Sequence, residues 1–273
     1  MSKGTYYTKH MDETLKQSVY DAHVPNINFL YATPSTTKPA GWNIGDKVVL
    51  PDGREYRLAK STGATALYSS RACSFSDAGA VAYTAFATSH AVRSMEITVP
   101  AATHDAFTED ELRGGYIIIM DGATDYNTCI RGITGNDATA ADVAFDIQLD
   151  GMISHAIVSG THVCEVYLNP WSVLKESTDR DHVKAGVPTT TVSAAVNYFW
   201  LQTKGICWPI PQGNLGNTGG KSSGWWHDVG NVSDATTALG ITIPAAKSSQ
   251  YAGYAISGSI GGNGPLFMLA DHG

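Results

Sequence analysis

Apolar and polar positions alternate in short runs along most of this chain, and the runs are closed by turn residues. Val48 and Leu50 alternate with polar neighbours, Asp52-Gly53 supplies a turn that tolerates positive φ, and Tyr56 and Leu58 resume the alternation, which predicts a β-hairpin. Residues 95–99 read as a strand ended by Pro100, and residues 108–112 as a single capped helical turn stopped by Gly114-Gly115. Residues 116–120 (YIIIM) form an unbroken apolar run closed by Asp121-Gly122, the pattern of a strand buried on both faces. Further strands are predicted over 129–133, 143–149, 161–168, within 192–202, and over 241–243, 251–257 and 266–269. Residues 72–92 are Ala-rich and fit one helix or a loose strand pair, with the balance toward non-strand. Strands recurring roughly every ten to fifteen residues with turns between them predict a mainly β protein, a β-sandwich or barrel-like body with little helix.

Residues 1–43 break this rhythm. Tyr6, Tyr7, Tyr20, Phe29, Leu30, Tyr31 and Trp42 follow neither a helical nor a strand period, and Pro25, Pro34 and Pro39 interrupt them. They read as an extended N-terminal arm whose aromatic side chains pack on the body or on a neighbouring subunit, or equally as a loop-rich first layer of the core. A chain lacking 1–43 is expected to stay folded. Residues 44–273 form the β-rich body, and 206–240, rich in Gly, Pro and Asn, reads as a long loop or insertion. Within it Trp225 and Trp226 are adjacent, so in a strand one ring points in and the other out, or equally both rings cap the end of the β core.

Composition narrows the function classes. In 273 residues only 16% are charged while 28 are glycine, so the surface is built largely of small neutral groups suited to broad contacts. The net charge of −7 argues against a groove that tracks phosphates, and nucleic acid is not an expected partner. No apolar run reaches the ~20 residues of a membrane-spanning helix, and the first residues lack a signal core, so no membrane partner is expected and assembly in a reducing cytoplasm is. Cys73, Cys129, Cys164 and Cys207 are far apart, without Cys-x-x-Cys pairs or histidines at ligand spacing, which favours free thiols over a metal site or disulfide framework.

Catalytic chemistry finds no constellation. Glu109, Asp110 and Glu111 are consecutive and cannot face each other across a cleft as glycosidase carboxylates do; they read as a solvated helical turn. Asp179, Asp181 and His182 read as a charged loop. Ser89-His90 and Ser154-His155 lack a nucleophile elbow, and the glycine-rich 258–264 lacks the Lys-Ser/Thr of a phosphate loop and reads as a turn. No catalytic residue, cofactor or metal is expected.

Several segments in order resemble a family of tailed-bacteriophage virion proteins, the head decoration or cement proteins: 45–60 (GDKVVLPDGREYRLAK), 114–122 (GGYIIIMDG), 147–150 (IQLD), 169–170 (NP), 186–188 (GVP), 198–205 (YFWLQTKG), 252–256 (AGYAI) and 265–269 (PLFML). The region 206–250, with Trp208, Trp225 and Trp226, and the N-terminal arm depart from that pattern. The resemblance implies a non-enzymatic β subunit on the capsid surface of the virion. It would bind and stabilise the lattice of the major capsid protein and associate with itself as a trimer or dimer. Tyr6, Tyr7, Tyr20, Phe29, Leu30, Tyr31, Trp42, Trp225 and Trp226 are then the interface candidates. The alternative is a tail or fibre component in which Trp225, Trp226, Asp228 and Asn231 meet a host glycan.

Overall fold

The computed structural model describes residues 27–76, 78–122, 124–178, 182–212, 215, 223–226, 230–234, 250–257 and 266–271. In chain order its strands are β1 (Lys47–Val49), β2 (Glu55–Lys60), β3 (Cys73–Phe75), β4 (Gly79–Ala85), β5 (Glu96–Val99), β6 (Tyr116–Asp121), β7 (Thr124–Asn136), β8 (Phe145–Leu149), β9 (His162–Tyr167), β10 (Leu174–Glu176), β11 (Lys184–Pro188), β12 (Tyr198–Cys207), β13 (Pro211–Gln212), β14 (Ser223–Trp226), β15 (Val232–Asp234), β16 (Tyr251–Ser257) and β17 (Leu266–Leu269). Two short 3-10 turns, Ile27–Tyr31 and Pro170–Ser172, are the helical elements among the described residues. The protein is mainly β, as the alternation predicts, and its strands form two curled antiparallel sheets, each half of a barrel.

The chain divides into two units, where the sequence suggested one body with an arm. The first is made of Met1–Ser76 and Trp171–Gly273, and the second, Asp77–Pro170, is inserted between those segments. In the first unit an eleven-stranded sheet runs β10-β3-β11-β12-β17-β16-β14-β15-β13, with β2 pairing β12 and β1 pairing β2. Among the described strands of this sheet β13 and β15 pair in parallel and the rest antiparallel, and an isolated parallel bridge joins Ser61 to Leu174. The organising strand is β12, which pairs with β2 over Tyr198–Lys204, with β11 at Leu201 and Gln202, and with β17 over Gly205–Cys207.

Strand alternation sends the aromatic run of β12 into two cores. Trp200 packs with Leu30, Trp42, Val48, Leu50, Tyr56 and Leu58, while Phe199 and Leu201 pack with Ala59, Leu67, Cys73, Leu174, Ala185 and Val192. A third cluster, under β14, β16 and β17, holds Trp226, Val232, Ala252, Phe267 and Leu269 with Ala72, Val187 and Leu215. Gly253 lets β16 lie against β17: its φ is +141°, and a Cβ there would stand 2.0 Å from the Met268 carbonyl oxygen.

The boundary expected at residue 43 cuts through the first of these cores. Residues 27–43 are a layer of the first unit: Ser35 pairs with Tyr198, the Thr189 hydroxyl donates to the Leu30 carbonyl at 2.6 Å, and Phe29 stacks on Trp42. Leu30 and Trp42 are buried, so a chain lacking 1–43 would leave Trp200 and Leu58 without their cover. The 206–240 stretch likewise contains β13, β14 and β15 and the end of β12. Residues 72–92 hold β3 and β4 instead of non-strand structure. The strand expected over 241–243 and the turn over 258–264 lie outside the described residues.

In the second unit the order is β4-β9-β6-β7-β8-β5, with its own core of Ile97, Val99, Leu112, Ile117, Ile119, Ile133, Phe145, Ile147 and Val166 among others. The chain enters on β4 and leaves on β9, and these strands pair with each other, continued by a 2.7 Å bond from the Leu168 amide to the Ala78 carbonyl. The turn before β6 carries the capping contact its sequence predicts, with the Thr108 amide donating to Glu111 Oε2 at 2.9 Å.

Candidate interaction faces

On the first unit, β12 changes its surroundings along its length, and a register shift between Gln202 and Lys204 reverses which side its alternate residues face. At Tyr198 and Trp200 it is covered by residues 27–43, through Phe29 and Trp42. Past the shift Lys204 stands on the side of Leu201, Arg57 and Glu55, and that side is ionic: Lys204 reaches Glu55 at 3.5 Å and Asp271 at 3.1 Å, and Glu55 also pairs with Lys47. The Asp271 contact, then Glu55, holds the Lys204 ammonium above its ordinary pKa. Beyond that point the face is apolar and exposed. Register places Ile206, Met268, Tyr254 and Ser223 in one row across β12, β17, β16 and β14. Leu266 and Ile256 are exposed beside this row, Trp208 follows the end of β12 at 51% exposure, and Trp225 meets Tyr251 edge-on at 5.4 Å. The opposite side of the same strands is the core of Phe267, Leu269 and Trp226, so this sheet is apolar on both faces.

The second unit repeats the situation. The run Tyr116-Ile117-Ile118-Ile119-Met120 is buried on one face only: Ile117 and Ile119 are in the core, whereas Tyr116 is 48% exposed and Ile118 and Met120 are half-buried. That corrects the expectation of a strand covered on both sides. Ile118 lies between Glu165 of β9 and Ile130 of β7, the latter 57% exposed, and Tyr116 lies beside Tyr167. In β4 a bulge sets Ala82 and Tyr83 opposite Glu165, and Tyr83 is 58% exposed. The Tyr167 hydroxyl donates to Glu165 Oε2 at 2.6 Å.

The candidates read from the sequence are scattered. Tyr6, Tyr7, Tyr20 and Asp228 lie outside the described residues, as do Asp179 and Asp181. Leu30 and Trp42 belong to the core of their own unit, and Phe29 packs against it partly buried. Tyr31 is exposed, its hydroxyl 3.3 Å from that of Tyr56, and Arg54 Nη1 donates to both phenols. Trp225 and Trp226 alternate as expected, with Trp225 half-buried on the exposed face and Trp226 1% exposed in the core. Asn231 is buried too, which removes two of the four groups named for a glycan site in this loop. Ile206, Trp208, Tyr251, Tyr254, Ile256 and Leu266, and Tyr83, Tyr116 and Ile130, were missed. Their signal was present: a strand such as 266–269 or 116–120 that is apolar at both parities needs a cover on each side.

Glu109, Asp110 and Glu111 are absorbed by local structure, Asp110 pairing with Arg113 at 3.2 Å and Glu111 capping Thr108. Among the described residues no group of three or more His, Cys, Asp or Glu is placed to hold a metal ion, and no helix is long and apolar enough to cross a membrane. Comparison with protein-family models, curated proteins and solved structures finds no match for this chain.

Proposed function

We propose that this protein is a non-enzymatic virion subunit of the head-decoration type, which binds the outside of a phage capsid and reinforces the lattice of its major capsid protein. The observation that carries this reading is the exposed apolar face of the first unit, from Ile206 and Trp208 across Met268 and Leu266 to Tyr254, Ile256, Tyr251 and Trp225. Continuous apolar faces rimmed by polar groups mark protein interaction surfaces, and this one carries the aromatic side chains that dominate interface energetics. Apolar burial contributes about 25 cal/mol per Å2, and a repeated lattice multiplies each modest contact. The segments resembling decoration proteins include β12, β16 and β17, three of the four strands of the face. Lys204, Glu55 and Asp271 would form its polar rim.

The test is binding to purified heads that lack this subunit. The intact chain should coat them evenly in particle images, and a triple variant Ile206→Ser, Tyr254→Ser, Leu266→Ser should bind at least about tenfold more weakly while melting like the parent. Placement of the subunit on the tail, or unchanged binding by the variant, would overturn the reading.

A further inference from the structure

The face of the second unit differs from that of the first in one respect that points to a different ligand. It holds a carboxylate. Glu165 stands in the row between Tyr83 and Ile118, held by the Tyr167 hydroxyl through Oε2. No lysine or arginine among the described residues pairs with it, and none of the described outward positions of β4, β9, β6 and β7 carries a positive charge. A carboxylate accepts through both oxygens, so Oε1 retains acceptor capacity in the middle of the face.

From register, Tyr83 and Tyr116 stand two strands and two residues apart, roughly 12 Å at ordinary strand spacings. The floor therefore presents two exposed phenol rings on either side of a fixed acceptor, with Ile118 and Ile130 extending it. An apolar protein partner gains little from a carboxylate that it must desolvate without a cation. A pyranose ring suits it: its C–H face lies against an aromatic ring while its hydroxyls donate to the acceptor. Acidic sugars are disfavoured by Glu165 and by the net charge of −7. We propose that the outer face of β4, β9, β6 and β7 is a binding platform for neutral polysaccharide, with Tyr83 and Tyr116 as stacking residues and Glu165, positioned by Tyr167, as hydrogen-bond acceptor.

This site is separate from the face assigned to the capsid, so either assignment can fail alone. The test is affinity electrophoresis of the full chain through gels containing one soluble neutral polysaccharide at a time, a β-glucan, a mannan and a galactomannan, beside alginate as the acidic control. At least one neutral polymer should retard the protein, and alginate should not. Tyr83→Ala and Tyr116→Ala should each weaken retardation about five- to tenfold and Tyr83→Trp should preserve it. Glu165→Ala should weaken it, and Tyr167→Phe less so. All these positions are at the surface, and a thermal melt of each variant checks the fold. Absence of retardation by every neutral polymer, or equal retardation of parent and alanine variants, would overturn the platform. Loss of head binding by the Tyr83→Ala, Tyr116→Ala pair would also overturn it and assign the face to the capsid.

Discussion

Trp42 meets Trp200 edge-on, with ring centroids 4.8 Å apart and planes at 87°, so residues before the first strand complete the core of the first unit. Trp42→Ala should destabilise that unit by about 3–5 kcal/mol, the range for truncating a buried large aromatic. Chemical denaturation followed by tryptophan fluorescence measures it. A loss below about 1 kcal/mol would mean that residues 27–43 rest on the sheet without stabilising it.

The second unit should fold by itself. Its core cluster is drawn wholly from residues 80–168, and the strands by which the chain enters and leaves are already paired. A fragment of residues 77–170 should give dispersed amide resonances and a cooperative melt. A collapsed, non-cooperative fragment would show that the rest of the chain is required.

Acid should weaken the second unit through His90. Its Nε2 accepts from the Thr98 amide at 3.2 Å, its ring lies edge-on to Phe86, and the Asp146 carboxylate is close enough to oppose the effect of burial. Burial wins and holds the imidazole below its ordinary pKa. The unfolded chain therefore takes up the proton more readily, so this contribution is whole above about pH 6.5 and drains as pH falls from there through the folded value. The urea midpoint of parent minus that of His90→Gln should decrease between about pH 7.5 and 5. Parallel pH profiles would exclude the role.

Thiol chemistry should report on the fold. Burial pushes the Cys73 and Cys164 thiols up to about 12, so at pH 8 almost no thiolate is present at either. Both should react with a disulfide reagent far more slowly in the folded chain than in denaturant, and Cys73 and Cys164 should be recovered unlabelled by mass mapping. Rapid labelling of either would contradict their burial.

Much of the sheet was legible in the chain. Tyr198 and Trp200 separate from Phe199 and Leu201, and Trp225 from Trp226, as a period of two demands. The strand β4 was hidden by its composition: Gly79, Ala80, Ala82 and Ala85 are weak strand formers, and two register shifts break its alternation. The insertion was invisible for a different reason. Strands and turns continue across Asp77 and Pro170 at unchanged spacing, and which strands share a sheet depends on contacts distant in sequence. What covers Tyr116 and Ile130 was illegible, because an apolar run states that a face needs covering without stating by what.

The pairing of β12 also sets a timetable. It joins strands from residues 55–60, 184–188 and 266–269, so the first unit closes its sheet only over long stretches of chain. Between the first and second of those partners lies a unit whose strand pairings all fall within residues 79–167. Loop-closure entropy makes the near pairings faster than the far ones. The inserted unit can thus form early on a growing polypeptide and shorten the excursion that β2 must bridge to meet β12. The insertion would then serve the assembly of the parent sheet as a prefolded spacer.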